Sequence, residues 1–197
     1  MIIGISGKIN SGKSMVSSVI KQLGREYNKR VTVKSFAQPI YRIVSDMTGL
    51  PIPEIKERKK NHSNIYIGDV NTTFRSILQI IGNGLREYGH MDVWLDSMFG
   101  TDNNQAITQL TDIDDWWIID DLRYVNEAER IKSLGGYLFQ IRRDQSEDNS
   151  HQAENSLNSW NQWDMVIDNN YPTKDEARER MYPLLNNFVR ERLYGEN

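Results

Sequence analysis

Short apolar runs alternate with amphipathic stretches along this chain. Ile2–Ser6, Val31–Phe36, Trp116–Asp120, Tyr137–Arg142 and Asp164–Asp168 are brief and rich in Ile, Val, Leu or aromatic residues. That is the pattern of strands covered on both faces of a sheet. Between them Met15, Val16, Val19, Ile20, Leu23 and Tyr27 recur at helical spacing, as do Phe74, Ile77, Leu78, Ile81 and Leu85. A further helix is expected from about Val125 to Leu134, stopped by Gly135-Gly136. The last begins at Thr173, where Thr173-Lys-Asp-Glu176 reads as a capping box. Pro183 falls inside the pattern that carries Leu185, Phe188 and Val189, which predicts a kink or a break there. Strands alternating with helices give an α/β fold with a mostly parallel, five-stranded central sheet.

Two polar stretches interrupt this rhythm. Residues 143–162 are rich in Asp, Asn, Gln and Ser, and Gly100–Gln105 is a second gap. From Ala37 to Val70 there are turns marked by Pro39 and by Pro51 and Pro53. The basic run Lys56-Glu-Arg58-Lys59-Lys60 in this segment reads as a solvated helix end. No internal repeat is present.

Composition narrows the class. The 197 residues are 38% hydrophobic and 26% charged, with net charge −3 and a pI near 5.7. This is a globular composition, long enough for one domain with a substantial core. The acidic balance argues against a protein that coats nucleic acid, which needs surplus Lys and Arg. There is no cysteine, so disulfides, thiolate metal sites and a Cys nucleophile are excluded. No run approaches the roughly 18 apolar residues of a membrane span, and the opening Met-Ile-Ile-Gly-Ile-Ser-Gly lacks a basic leader. The expectation is a single cytoplasmic domain with no membrane partner.

The most specific motif lies between the first strand and the first helix. Gly7-Lys-Ile-Asn-Ser-Gly12-Lys13-Ser14 matches G-x-x-x-x-G-K-[ST] in full, with an apolar strand before it and an amphipathic helix after it. Glycines let the backbone approach phosphate oxygens, and the helix start supplies N–H groups and a positive dipole end. The expected fold is thus the P-loop three-layer sandwich. Gly7, Asn10, Ser11, Gly12, Lys13, Ser14 and Met15 are the candidate ATP-binding residues. Lys13 is expected to reach the β- and γ-phosphates, and the Ser14 hydroxyl to ligate Mg²⁺.

Trp116-Trp-Ile-Ile-Asp120-Asp121 ends a buried strand in two acids, and an acid at that strand tip can hold Mg²⁺ or its water. Neighbouring side chains on a strand face opposite ways, so one acid at most points at the metal, with Asp121 as the candidate. The alternative is that both acids cap the next helix. Arg123, Arg142 and Arg143 fall at or after strand ends, the side on which parallel sheets bind ligands. Arginine there can clamp phosphate and balance charge on a transferred phosphoryl group. With Lys13 they make the candidate catalytic set, and Arg142-Arg143-Asp144 leads into a candidate lid at about 143–160. His62, His90 and His151 have no metal-ligand spacing. Trp160 and Trp163 suit either base stacking or core packing.

These elements, in order, resemble the bacteriophage deoxynucleoside monophosphate kinases of the P-loop nucleoside-monophosphate-kinase group. The resemblance runs through Gly7–Ser14, Ser35-Phe-Ala37-Gln-Pro39-Ile40, Arg75-Ser-Ile-Leu78-Gln79-Ile-Ile-Gly82 and Asp92-Val-Trp94. It continues through Asp121-Leu-Arg123-Tyr-Val-Asn126-Glu127-Ala-Glu129, Arg142-Arg143-Asp144, His151-Gln-Ala-Glu154 and Asp164-Met-Val-Ile-Asp168-Asn169. Leu122, Tyr124, Phe74 and Ala153 depart from the family pattern, and Ala153 removes a hydroxyl that the family often has. The resemblance implies ATP as donor, a deoxynucleoside monophosphate as acceptor, Mg²⁺ as cofactor and a lid that closes over both. It also implies a helical acceptor-binding insertion at about 38–112, with Arg75, Gln79, Asp121 and Glu154 as substrate-binding candidates. Related kinases are often dimers, so a homodimer is the oligomer to test for, and a phage gene would place the protein in the host cytoplasm.

Three other functions share part of this pattern. A P-loop kinase for another small acceptor, such as dephospho-coenzyme A, shares every feature above except the acceptor. A nucleotide-dependent switch would need its D-x-x-G at a strand tip, but Asp46-Met-Thr-Gly49 follows a helical stretch and no N-K-x-D guanine reader is present. A DNA motor is disfavoured by the acidity and short length.

Overall fold

A computed structural model of the chain describes residues 1–100, 115–144 and 156–195. The chain divides into two compact units, one of Met1–Ser35 with Ile107–Asn197 and the other of Phe36–Ala106.

The first unit is built on five parallel strands: β1 (Ile2–Ser6), β2 (Arg30–Lys34), β5 (Asp115–Ile119), β6 (Tyr137–Arg142) and β7 (Met165–Asp168). Their order in the sheet is β2-β5-β1-β6-β7, each neighbouring pair parallel. Strand alternation sends Ile3, Ile5, Trp116, Ile118, Phe139 and Ile141 to one face. There they meet α1 (Lys13–Glu26) through Val16, Val19, Ile20 and Leu23. They also meet α7 (Lys174–Tyr194) through Met181, Leu185, Phe188 and Val189. The Phe188 ring stands edge-on to Tyr137 at 5.1 Å and to Phe139 at 4.9 Å, a favourable aromatic geometry. On the other face, α6 (Val125–Ser133) buries Ala128 and Ile131. A Cβ on Gly4 would lie 2.8 Å from Ile131 and 3.1 Å from Leu138, so that glycine lets α6 press onto β1. Helix, sheet and helix make three layers, as expected of an α/β P-loop fold.

The strand edges moved by one or two residues where side-chain pairing overrode apolar pattern. β5 begins at Asp115 rather than Trp116 because Asp115, almost fully buried, is opposite Arg30 on β2. Arg30 Nε donates to its Oδ1 at 2.5 Å. The Arg30 bond, opposed by burial and aided by the guanidinium charge, holds the Asp115 carboxyl below its ordinary range. β2 correspondingly starts at Arg30 and stops at Lys34, two residues short of Phe36, and β7 starts at Met165 rather than Asp164. The Asp164 carboxylate instead accepts from Leu138 N and the Lys132 ammonium.

The break expected at Pro183 does not occur. α7 runs unbroken for 21 residues through it. Pro183 is on the exposed side, while Met181, Leu185, Phe188 and Val189 are buried on either side of it. Their burial outweighs the one backbone bond that proline removes. Thr173 caps α7, its Oγ1 accepting from Glu176 N at 3.2 Å.

The second unit has α2 (Gln38–Thr48), α3 (Ile52–Lys60), α4 (Phe74–Gly84) with a following π-helical turn (Leu85–Gly89), and α5 (Val93–Phe99). Ile40, Val44, Ile55, Phe74, Leu78, Trp94 and Leu95 are buried in it. Thr73 Oγ1 caps α4 by accepting from Ser76 N at 3.1 Å. A hairpin of β3 (Asn64–Ile67) and β4 (Val70–Thr73), antiparallel through Gly68-Asp69, lies between α3 and α4. The basic run Lys56–Lys60 forms the last turns of α3, as a solvated helix end should, its cations facing the C-terminal dipole. Asp46-Met-Thr-Gly49 is the end of α2, with Gly49 as its left-handed cap at φ 70°. It is not at a strand tip, and this removes the switch-like reading. Among the described residues no helix is long and apolar enough to cross a membrane.

Candidate functional site

In an open parallel sheet, ligands bind at the carboxyl ends of the strands where the strand order reverses. Here that point is the end of β1, between β5 and β6. A cavity of about 300 Å³ opens there, lined by Ser6, Gly7, Lys8 and Lys13 from the first turn. Asp121, Leu122 and Arg123 after β5, and Gln140, Ile141, Arg142, Arg143 and Asp144 at the end of β6, complete most of its wall. Leu157 and Asn158 contribute as well.

The turn itself has the form of a cradle. A Cβ on Gly7 would come within 2.6 Å of both Ile141 O and Ser11 Oγ, so only glycine fits. Gly12 has φ 106°, a backbone state that L side chains rarely adopt, and Asn10 is also left-handed at φ 63°. Ser11 is almost fully buried and its Oγ has no hydrogen-bond partner among the described residues. α1 starts with no side-chain cap and no acid in its first turn. Its positive end therefore carries no built-in counter-charge. The Lys13 ammonium donates back to the loop, to Gly7 O and, at 2.8 Å, to Lys8 O. Ser14 is exposed on the first turn of α1, and Met15 is half-buried against the core.

Of the two acids after β5, it is Asp121 that lines the cavity. Ser35 Oγ, just past β2, donates to its Oδ2 at 2.7 Å and fixes its orientation. The turn that follows is held by Glu127, buried on the first turn of α6. Its Oε2 accepts from Arg123 N at 2.8 Å and Tyr124 N at 3.1 Å. Ser156 Oγ donates to Arg123 O. Arg123 and Arg142 are exposed and Arg143 half-buried. Arg142 Nε donates to Gln140 Oε1 at 2.8 Å.

The structure therefore places Gly7, Lys13, Asp121, Arg123, Arg142 and Arg143 on one cavity. Arg75 and Gln79 are on α4 of the second unit, where the buried Arg75 Nε has no partner among the described residues. Glu154, His151 and most of the candidate lid are outside the described residues. Trp163 Nε1 donates to Trp160 O at 2.9 Å, so this pair is tied to itself. His62 and His90 are exposed, and among the described residues no three His, Asp or Glu side chains could hold a metal by themselves. Sequence reading missed Ser35, Glu127 and Asn169 as site supports. Ser35 and Asn169 join partners 86 and 158 residues distant, a separation that no local pattern reveals.

No protein-family model matches the chain. It is similar to a protein of Acanthamoeba polyphaga mimivirus that carries the provisional name deoxynucleotide monophosphate kinase. The two are 28% identical over 190 residues, covering 86% of this chain and 89% of that protein. Among solved structures, shikimate kinase from Aquifex aeolicus overlaps 96% of this chain and 98% of its own, at 16% identity and TM-score 0.42. The APS kinase of Mycobacterium tuberculosis overlaps 93% and 95%, at 10% identity and TM-score 0.40. Overlaps this loose add nothing to what the strand order and the first turn already give.

Proposed function

We propose that this protein is a kinase that moves the γ-phosphoryl group of ATP onto a deoxynucleoside monophosphate, giving ADP and the deoxynucleoside diphosphate. One observation carries the reading: a glycine-bounded turn with its lysine shares a single cavity with an oriented carboxylate and three arginines. The similarity to the mimivirus protein supports the choice of acceptor.

The residues fit both groups the reaction needs. A turn that only Gly7 can make, an unpartnered Ser11 Oγ and an acid-free helix start suit a polyphosphate. Ser14 and Asp121 offer oxygen donors of the kind Mg²⁺ takes. With so few protein ligands the remainder would come from phosphate oxygens and water. The ion, when bound, neutralises charge on the β- and γ-phosphates.

In this scheme Lys13 exchanges its bonds to Gly7 O and Lys8 O for the β- and γ-phosphates. An oxygen of the acceptor phosphate forms a bond to the γ-phosphorus in line, while the bond to the bridging oxygen breaks and ADP leaves. Arg123, Arg142 and Arg143 balance the charge spread over the transferring group. Arg75, with Gln79 on the same helix, holds the acceptor phosphate. The half-buried guanidinium with its orphan Nε is an energetic cost that an anion would relieve. The segment at about 143–160 serves as the lid, excluding water that would compete for the phosphoryl group.

The test is an acceptor panel. The four deoxynucleoside and four ribonucleoside monophosphates, with dephospho-coenzyme A as a control, are each incubated with ATP and Mg²⁺. Turnover of at least one deoxynucleoside monophosphate is expected to exceed that of every other acceptor. Turnover of dephospho-coenzyme A alone would replace the acceptor and keep the kinase.

A further inference from the structure

The residue following β7 reaches from the edge of the sheet into the first turn. Asn169 is only 2% exposed, although its neighbours Asp168 and Asn170 are both in solvent. A buried amide must find partners, and Asn169 finds two, one on the cavity wall and one within the first turn. Its backbone N–H donates to Arg142 O at 2.7 Å, carrying the β6–β7 pairing one step beyond Asp168. Its side-chain Nδ2 donates to Ser11 O, also at 2.7 Å and buried. Gly12 is what makes room for this contact: a Cβ there would lie 2.2 Å from Nδ2.

Ser11 C=O and Gly12 N–H belong to one planar trans peptide, so they point in opposite directions. Holding the carbonyl against Asn169 therefore turns the Gly12 N–H to the other side of the turn. Among the described residues that N–H donates to no acceptor. A glycine with φ 106° and ψ 15° has few steric limits on rotating this peptide, and a rotated peptide would present a carbonyl oxygen, repelling an anion, where the N–H had been. The next residue does a parallel job. Asn170 Oδ1 accepts from Asp144 N at 2.9 Å and its Nδ2 donates to Asp144 Oδ2 at 2.8 Å, gripping the chain directly after Arg142 and Arg143.

We infer that Asn169-Asn170 is a positioning element: Asn169 locks the Ser11–Gly12 peptide with its N–H turned to the polyphosphate, and Asn170 sets the arginine-bearing end of β6. The inference rests on the reading that this turn holds ATP. Neither residue touches a reacting atom. Asn169 acts through Gly12, Asn170 through Arg142 and Arg143.

The two jobs separate in kinetics. Asn169→Leu keeps the volume and removes the donor, and Asn169→Asp keeps the shape and sets a carboxylate against a carbonyl. Each should weaken ATP binding, measured by calorimetry without acceptor, by about tenfold or more, with the KM for the acceptor changed by less than about twofold. Asn170→Ala should leave ATP affinity at the wild-type value and lower kcat. ATP affinity within about twofold of wild type in folded Asn169→Leu and Asn169→Asp would overturn the inference. Should both variants fail to fold, the wild type decides. With ¹⁵N-glycine labelling, the Gly12 amide should shift strongly on adding ATP and Mg²⁺, more than Gly135, which is far from the turn in sequence. An unmoved Gly12 resonance in ATP-saturated protein would equally overturn it. Because the calorimetric and resonance readouts need only ATP, they hold whichever acceptor the panel selects, and a wild type that does not bind ATP would refute the kinase reading instead.

Discussion

Replacing Gly12 by alanine should cost stability through two separable effects. The first is backbone strain, because an L residue at φ 106° pays about 1–3 kcal/mol. The second is a collision. The new Cβ would lie 2.2 Å from Asn169 Nδ2, a distance real Cβ atoms essentially never show. Asn169 must then withdraw, leaving Ser11 O buried without its donor at about 1–3 kcal/mol. The sum is roughly 2–6 kcal/mol out of the 5–15 kcal/mol or so typical of a whole protein. Gly135→Ala is the internal control: its φ of 71° is also left-handed, but nothing lies within 4 Å of its Cβ, so it bears strain alone. Urea unfolding of the wild type and both variants, at constant slope, gives the two costs. Gly12→Ala should lose more than Gly135→Ala by about 1–3 kcal/mol. Equal losses would mean that the Asn169 contact contributes nothing.

Two further predictions follow from the cavity and the sheet edge. Arg142→Ala or Arg143→Ala should lower kcat by roughly 10³-fold if its guanidinium acts on the transferred group, and a near-normal kcat in both, measured by coupled ADP release, would remove these arginines from the mechanism. The Asp115–Arg30 pair should titrate in acid. Asp115 has a folded pKa below its unfolded one, chiefly because of the Arg30 bond, so its contribution is present above the ordinary carboxylate range and is lost as pH falls through it. The stability gap between wild type and Arg30→Met should be present at neutral pH and shrink below about pH 4. A gap of constant size in urea titrations at both ends would show that the ion pair is not its source.

What could be read from the sequence was whatever depends on neighbours along the chain. β1 and β6 fell where their apolar runs put them, α1 followed its spaced Val, Ile and Leu, and the glycine-bounded turn stood between strand and helix as its motif required. The β3–β4 hairpin is legible in principle, because Ile65 and Ile67 precede the turn residues Gly68-Asp69, but the run is short and Tyr66 between them blurs the alternation. The rest depends on partners far apart. Asp115 extends its strand with Arg30 beside it, Pro183 is tolerated because a core holds the helix on both sides, and the Asn169 side chain has its role against Ser11. The choice between Asp120 and Asp121 likewise waited for Ser35 to be brought across from β2. The lid was read from its polar composition and the arginines before it, whereas the role of Glu154 was read from resemblance alone, and both stay a proposal.

The measurement that bears most directly on the account is transfer of label from [γ-³²P]ATP to a deoxynucleoside monophosphate, by the wild type and by Lys13→Ala. The wild type should produce labelled deoxynucleoside diphosphate in the presence of Mg²⁺. Lys13→Ala, folded as judged by its circular dichroism, should produce none above background. Labelled product formed by Lys13→Ala at the wild-type rate would contradict the claim that this turn holds the phosphate donor.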